Sequence, residues 1–83
     1  MFRGGETHAI ALLNDDVTPM EQVVEALEQV LHMPQKHATS FMLRTHGEGI
    51  AIVWTGTKAE ADTHLAQMQA ANLSSCILPI NQA

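Results

Sequence analysis

Residues 12–31, LLNDDVTPMEQVVEALEQVL, join a predicted strand to a long amphipathic helix, and the rest of the domain is arranged around that junction. An apolar pair runs into the polar sequence NDD, and a threonine and a proline follow it. Thr18 is predicted to cap the helix, with Pro19 in the first turn and Glu21 three residues later, as in a capping box. Apolar residues then recur every three or four positions, with glutamates on the opposite side. This spacing predicts an amphipathic helix over residues 20–31.

Two more helices and three strands are predicted in the remaining sequence. The predicted strands are a first strand over 7–13, a buried strand over 50–54, and an edge strand over 75–80 that contains Pro79. A second helix is predicted over 35–46, beginning after Pro34 and ending at Gly47 and Gly49. A third helix is predicted over 58–72, capped by Thr57. The order β-α-α-β-α-β predicts a small α+β fold whose helices pack on one face of a three-stranded sheet. We expect a short flexible segment over residues 1–8 and one core domain over residues 9–83.

Composition excludes several classes of protein. The 83-residue chain has a formal net charge of −5 and only four Lys and Arg residues, which argues against a nucleic-acid-binding protein. Its single cysteine cannot form an internal disulfide, and no apolar run approaches the roughly 18 residues of a membrane span. The first residues lack the apolar region of a signal peptide. These features predict a soluble cytosolic protein that binds neither nucleic acid nor membrane.

The polar run has several possible roles. Asn14, Asp15 and Asp16 could form a turn with local Asx-type hydrogen bonds. Their oxygens could also hold Mg²⁺ loosely, or the two carboxylates could act as an acid–base pair. A third possibility is recognition of an organic ammonium, with Met20 and Met42 lining an apolar slot for its tail unless they are simply core residues.

The histidines leave a similar choice. None of the five shows the spacing of a zinc site, so we expect no metal and no cofactor. His46 stands near the end of the second predicted helix. It could cap that helix as a cation, or it could offer a neutral ring nitrogen as a hydrogen-bond acceptor to a ligand.

Residues 12–33, LLNDDVTPMEQVVEALEQVLHM, and residues 38–49, ATSFMLRTHGEG, resemble the ClpS family of adaptors. The similarity extends from about Ala9 to the end of the chain. It implies an antiparallel sheet, no enzymatic activity, a monomer, and a location in the bacterial cytoplasm or, as an alternative, the plastid stroma. The implied partners are the N-terminal segments of N-degron substrates and the N-domain of a ClpA/ClpC-type AAA+ unfoldase.

The resemblance also implies roles for individual residues. The α-amino group of the substrate would be bound by Asn14, Asp16 and His46. A pocket for a first residue such as Leu, Phe, Tyr or Trp would be formed by Leu12, Val17, Thr18, Met20, Met42, Thr45 and Cys76. The unfoldase would dock on a surface that includes Ala61, Thr63 and His64.

Two other kinds of protein remain compatible with the residues themselves. A structural or oligomerisation domain would need no pocket, and its methionines would then belong to a filled core. A small metal-dependent enzyme would require Asp15 and Asp16 to converge on one ion.

Overall fold

The order of helices and strands agrees with the predicted α+β fold. A computed structural model describes residues 7–15 and 17–80. Its elements are β1 (Thr7–Leu13), α1 (Met20–Leu31), α2 (Gln35–Glu48), β2 (Ile50–Gly56), α3 (Lys58–Ala70) and β3 (Ser75–Ile80). Within this part of the chain, no helix has the length and apolar character needed to cross a membrane. Thr7 and His8, which were assigned to the N-terminal segment, lie in β1.

The three strands form an antiparallel sheet in the order β2-β1-β3. β1 is the central strand, and its residues from Ala9 to Leu12 are all buried. An irregularity in the pairing with β2 lies between Ile10 and Ala11. Pro79 lies in β3, which is an edge strand, as predicted. A proline is tolerated there because an edge strand does not need every N–H for the ladder.

The strand predicted as buried over 50–54 is present, but it extends to Gly56 and is only partly buried. Ala51 and Val53 are buried, but Ile50 and Ile52 are each 43% exposed. Side chains alternate between the two faces of a strand. β2 is an edge strand with α2 against it, so only alternate side chains reach the core.

The helices pack on one face of the sheet, as predicted. α2 lies against β2, α3 lies against β1 and β3, and α1 packs on the other two helices. The largest fully buried side chains come from β1, α1 and α3, and they are Ile10, Leu12, Leu27 and Met68. The core therefore lies between β1 and the helices.

The helix ends differ from the prediction in three places: at the start of α1, at the end of α2, and at the end of α3, which stops at Ala70 and not at residue 72. Pro19, not Thr18, is the N-cap of α1, and no side chain caps the helix. The hydroxyl of Thr18 instead lies 3.2 Å from the carbonyl oxygen of Asn72 and 3.3 Å from Oδ2 of Asp15. The capping box at Thr18 and Glu21 was therefore wrong, because tertiary contacts use the hydroxyl. Thr57 does cap α3, since its Oγ1 accepts a hydrogen bond from the N–H of Glu60.

The second helix continues past Gly47 to Glu48 and ends at Gly49. Gly49 has a φ of 88° and donates its N–H to the carbonyl oxygen of Thr45 at 2.8 Å. A residue with a side chain would be strained at this left-handed position. His46 is therefore in the last turn of α2 and not at its final residue.

Candidate functional site

The chain at the start of the polar run is hydrogen-bonded to residues that precede both outer strands. The N–H of Leu13 donates to the carbonyl oxygen of Ser74 at 2.8 Å, just before β3. The N–H of Asn14 donates to the carbonyl oxygen of Gly49 at 3.0 Å, just before β2. Asn14 is thus anchored through its backbone beside the C-terminus of α2. Its side chain remains exposed.

Asp15 organises the turn that follows. Its Oδ1 accepts hydrogen bonds from the N–H groups of Val17 and Thr18, at 2.9 and 2.7 Å. Its Oδ2 accepts one from the hydroxyl of Ser74 at 2.7 Å and lies 3.3 Å from that of Thr18. These contacts match the local Asx turn considered from the sequence, and they extend it to the loop before β3. Asp15 therefore joins two loops.

The same contacts hold the pKa of Asp15 far below its ordinary value. The N–H of Thr18 contributes most, followed by the hydroxyl of Ser74 and the N–H of Val17, and together they lower the pKa from 3.8 to about 2. Hydrogen bonds donated to a carboxylate favour its charged form. Asp15 is therefore an ionised structural group. Its oxygens already have partners, so it is poorly suited to act as a base or a metal ligand.

Replacing Asp15 with asparagine should destabilise the protein in a pH-dependent way. Because the pKa is lower in the folded state, the carboxylate stabilises the fold above about pH 4, and this contribution disappears as the pH falls toward about 2. Urea unfolding should show a lower midpoint for Asp15→Asn at about pH 6, and the gap from the unsubstituted protein should narrow at about pH 3. Asp62→Asn, on the exposed face of α3, serves as the control. A gap of equal size at both pH values would contradict this role.

A cavity of about 260 Å³ opens beside this turn. Six of the residues that the resemblance assigned to the pocket or the α-amino site line it together with His46, namely Leu12, Asn14, Thr18, Met20, Met42 and Thr45. Its volume is slightly below the roughly 300–1,000 Å³ of pockets for drug-sized ligands, so it suits one large side chain. The cavity lies where the end of β1, the start of α1 and the last turns of α2 meet.

Both apolar and polar groups line the cavity. Leu12 is buried, whereas Asn14 and His46 are exposed at the rim. Among the described residues, no side chain or backbone group forms a hydrogen bond with the Asn14 amide group or the His46 ring. The buried hydroxyl of Thr45, in contrast, donates to the carbonyl oxygen of Phe41 at 2.8 Å. The hydrogen-bonding groups left for a ligand are therefore concentrated at the rim.

Two of the expected pocket residues lie elsewhere. Val17 is 89% exposed and does not line the cavity, because it follows the turn around Asp15 on its solvent side. Cys76 is half-buried, pairs with Ala11, and also lies outside the cavity lining. Ile10 and Leu12 belong to the core beneath the helices, so Ala11 and its partner face the other side of the sheet. Asp16, the remaining predicted ligand of the α-amino group, lies outside the described residues.

The three residues expected at a docking surface differ in exposure. Ala61 is fully buried in the core, so its side chain cannot contact a partner. Thr63 is exposed, with its hydroxyl donating to the carbonyl oxygen of Ala59. His64 is half-buried and packs edge-on against Trp54, with ring centroids 5.0 Å apart. Of these three residues, only Thr63 is exposed.

Several lining residues were not predicted from the sequence. Val23 lies one turn after Met20, and its helical spacing could have placed it on the same face. Leu73 and Ser74 come from the loop between α3 and β3, which no local pattern connects with the polar run. Among the described residues, no three His, Cys, Asp or Glu side chains are grouped to hold a metal ion.

Comparisons with known proteins agree with the resemblance. The family model described as "ATP-dependent Clp protease adaptor protein ClpS" matches residues 4–77. An ATP-dependent Clp protease adapter protein ClpS of Vibrio cholerae serotype O1 is 46% identical over 59 residues, which cover 71% of this chain and 56% of that protein. The same adapter of Phenylobacterium zucineum is 41% identical over 61 residues, which cover 74% of this chain and 56% of that protein. The chain thus matches little more than half the length of these relatives.

A solved structure matches more completely. The structure of Agrobacterium tumefaciens ClpS2 bound to L-phenylalaninamide has a TM-score of 0.84 and 26% sequence identity, and the match covers 90% of this chain and 98% of that one. The family is named for an adaptor, which agrees with the prediction of a binding protein that is not an enzyme. With a family model matched over most of the chain and relatives above 40% identity, this protein belongs to the ClpS family of Clp protease adaptors.

Proposed function

We propose that this protein is an adaptor that binds the free α-amino group and bulky first side chain of N-degron substrates and delivers them to a Clp unfoldase. The observation that carries the proposal is the cavity beside Asn14 and His46. It combines an apolar interior with a rim on which two polar side chains have no hydrogen-bond partner among the described residues. This separation suits a ligand with one charged end and one apolar end.

The chemistry of the rim matches an α-ammonium group. Such a group offers three N–H donors, and the Asn14 amide oxygen and a His46 ring nitrogen can each accept one. Asp16 remains our candidate for the third acceptor. Each hydrogen bond to a charged group contributes roughly 1.5–3 kcal/mol, so the rim would distinguish a free amine from a blocked one.

The chemistry of the interior matches a large apolar side chain. Leu12, Val23, Met42 and Leu73 line it, and burying one Leu or Phe side chain contributes on the order of 1.5–3 kcal/mol. The ligand of the related ClpS2, L-phenylalaninamide, has a free α-amine and a phenyl ring and no further residue. A ligand of that size suits a cavity of about 260 Å³. We propose Leu, Phe, Tyr and Trp as accepted first residues.

Delivery requires a second contact, with the unfoldase. We propose that the N-domain of a ClpA/ClpC-type unfoldase docks beside the accessible Thr63 on α3 and that the adaptor acts as a monomer in the bacterial cytoplasm. The metal-dependent enzyme has no comparable support, because four hydrogen-bonding groups surround the Asp15 carboxylate. A purely structural domain would leave the open cavity beside Met20 without a role.

Replacing His46 with alanine tests the proposed site. Binding of a fluorescent peptide that begins with a free phenylalanine should weaken at least about tenfold, because one hydrogen bond to the ammonium is lost. Fluorescence anisotropy measures this change. His37→Ala is the matched control, since His37 is exposed on the same helix and does not line the cavity. Equal affinities of the two variants would remove His46 from the site.

A further inference from the structure

The loop that joins α3 to β3, residues 71–74, forms one wall of the cavity and is hydrogen-bonded to the segment that leads into α1. Leu73 and Ser74 line the cavity, and Leu73 is buried. The side-chain amide of Gln22 in α1 donates to the carbonyl oxygen of Ala71 at 3.1 Å. The loop is therefore held in place by contacts with residues about fifty positions earlier in the chain.

Ser74 contacts that earlier segment through two separate groups. Its carbonyl oxygen accepts the N–H of Leu13 at 2.8 Å, and its hydroxyl donates to Oδ2 of Asp15 at 2.7 Å. The other hydrogen bonds that Asp15 accepts from described residues come from Val17 and Thr18, within the turn itself. The Ser74 hydroxyl is thus the link from the Asp15 carboxylate to a distant part of the described chain. Removing this side chain would break the link and leave the backbone contact with Leu13 intact.

The direction of the Asn14 side chain depends on this framework. The side chain is exposed, and within the described residues it has no hydrogen-bond partner that could orient it. Its backbone is fixed on one side by the N–H that donates to Gly49 at 3.0 Å. On the other side the next residue is Asp15, whose carboxylate is bound by Ser74. Without that hydroxyl, the turn after Asn14 keeps its local hydrogen bonds but loses a contact that fixes it against the loop before β3.

We propose that Ser74 is a positioning residue for recognition of the α-amine: its hydroxyl fixes Asp15, and Asp15 holds the backbone that presents Asn14 to the ligand. The inference rests on the proposed function, because Asn14 must accept a hydrogen bond from the amine. Ser74 then raises the affinity without bonding to the ligand. A turn that is already ordered in the free protein does not have to be ordered when the peptide binds, and this lowers the cost of association.

Ser74→Ala should weaken binding of a peptide with a free N-terminal phenylalanine by about three- to tenfold, the size expected when part of a binding site must be ordered on association. Binding of the acetylated peptide, which cannot use the Asn14 amide as an ammonium does, should change by less than about twofold. The preference for phenylalanine over alanine as first residue should persist, because Leu73 still lines the cavity. Fluorescence anisotropy measures the free peptide, and competition against it measures the acetylated one.

Ser75→Ala is the matched control for the loss of a hydroxyl. The Ser75 hydroxyl donates to the carbonyl oxygen of Leu73 at 3.3 Å, and Ser75 does not line the cavity. This variant should bind both peptides as the unsubstituted protein does. A second pair, Ser74→Thr and Ser74→Val, compares side chains of the same shape with and without a hydroxyl, so it remains informative if Ser74→Ala lowers the stability. The threonine variant should retain the affinity, and the valine variant should lose it.

An Asp15→Asn background tests whether Ser74 acts through Asp15. There, Ser74→Ala should cost less than about twofold in affinity, because two residues that act through one contact are not additive. An undiminished loss in this background would mean that Ser74 bonds to the ligand itself, and it would overturn the positioning role. Equal losses for the free and acetylated peptides, or equal affinities of the threonine and valine variants, would also overturn it. If the unsubstituted protein binds free and acetylated peptides equally, the proposed function fails. If it distinguishes them and the Ser74 variants do so equally well, only this inference fails.

Discussion

Acetylation of the α-amine should weaken the binding of a peptide that begins with phenylalanine by at least about tenfold, or about 1.4 kcal/mol. The acetylated nitrogen has no charge and a single N–H, so it cannot donate to Asn14 and His46 together. An acceptor that the bound peptide covers and leaves without a donor adds to the loss. The effect should be large because Asn14 and His46 both line the cavity, and their side chains have no hydrogen-bond partner among the described residues. Isothermal titration calorimetry with the two peptides measures it.

A thermodynamic cycle that combines a substitution at Asn14 with acetylation of the peptide tests whether that loss of affinity arises at the rim of the cavity. Asn14→Ala should weaken binding of the free peptide strongly and change binding of the acetylated peptide little, because the second complex no longer uses the amide. The backbone N–H of Asn14 still donates to Gly49 in this variant, so the anchor of the loop is kept. Equal affinity of the protein for free and acetylated peptides would contradict recognition of the amine.

Replacing Leu27 with alanine should lower the free energy of unfolding by about 2–5 kcal/mol. Leu27 is fully buried in α1 and belongs to the core between the helices and the sheet. Its removal leaves a cavity that the surrounding helices can fill only partly. Because Leu27 does not line the pocket, peptide selectivity should not change. Urea unfolding followed by circular dichroism measures the stability.

Met20→Ala is the contrasting variant on the same helix. Met20 is 44% exposed at the first residue of α1, so its loss should cost little stability. It should widen the mouth of the pocket and admit peptides that begin with Val or Ile. A large loss of stability with unchanged selectivity would place Met20 in the core. The two variants together separate residues that hold the fold from a residue that shapes the site.

The elements could be predicted because their signals are local. The spacing of apolar residues from Met20 to Leu31 indicates one buried side of a helix, and Gly49 ends α2 because its left-handed backbone favours glycine. The capping of α3 by Thr57 follows from the same kind of short-range signal. The expectation that a threonine before a helix caps it was wrong at Thr18. There, Asp15 and the distant Asn72 compete for the hydroxyl, and the sequence around Thr18 does not indicate that contact.

The candidate site also combines features that the sequence predicts with features that depend on the tertiary structure. The sequence by itself determined that Asn14 and His46 are polar groups next to a helix start and near a helix end, and the resemblance suggested why. Only the tertiary structure decided that both border one cavity, that Asp15 joins the loop to Ser74, and that Cys76 faces away. Cys76 lies outside the cavity lining because the face of a strand residue depends on its pairing partner, Ala11, which lies far away in the chain. Cavities form between elements that are distant in sequence, so their lining depends on packing, which no local pattern specifies.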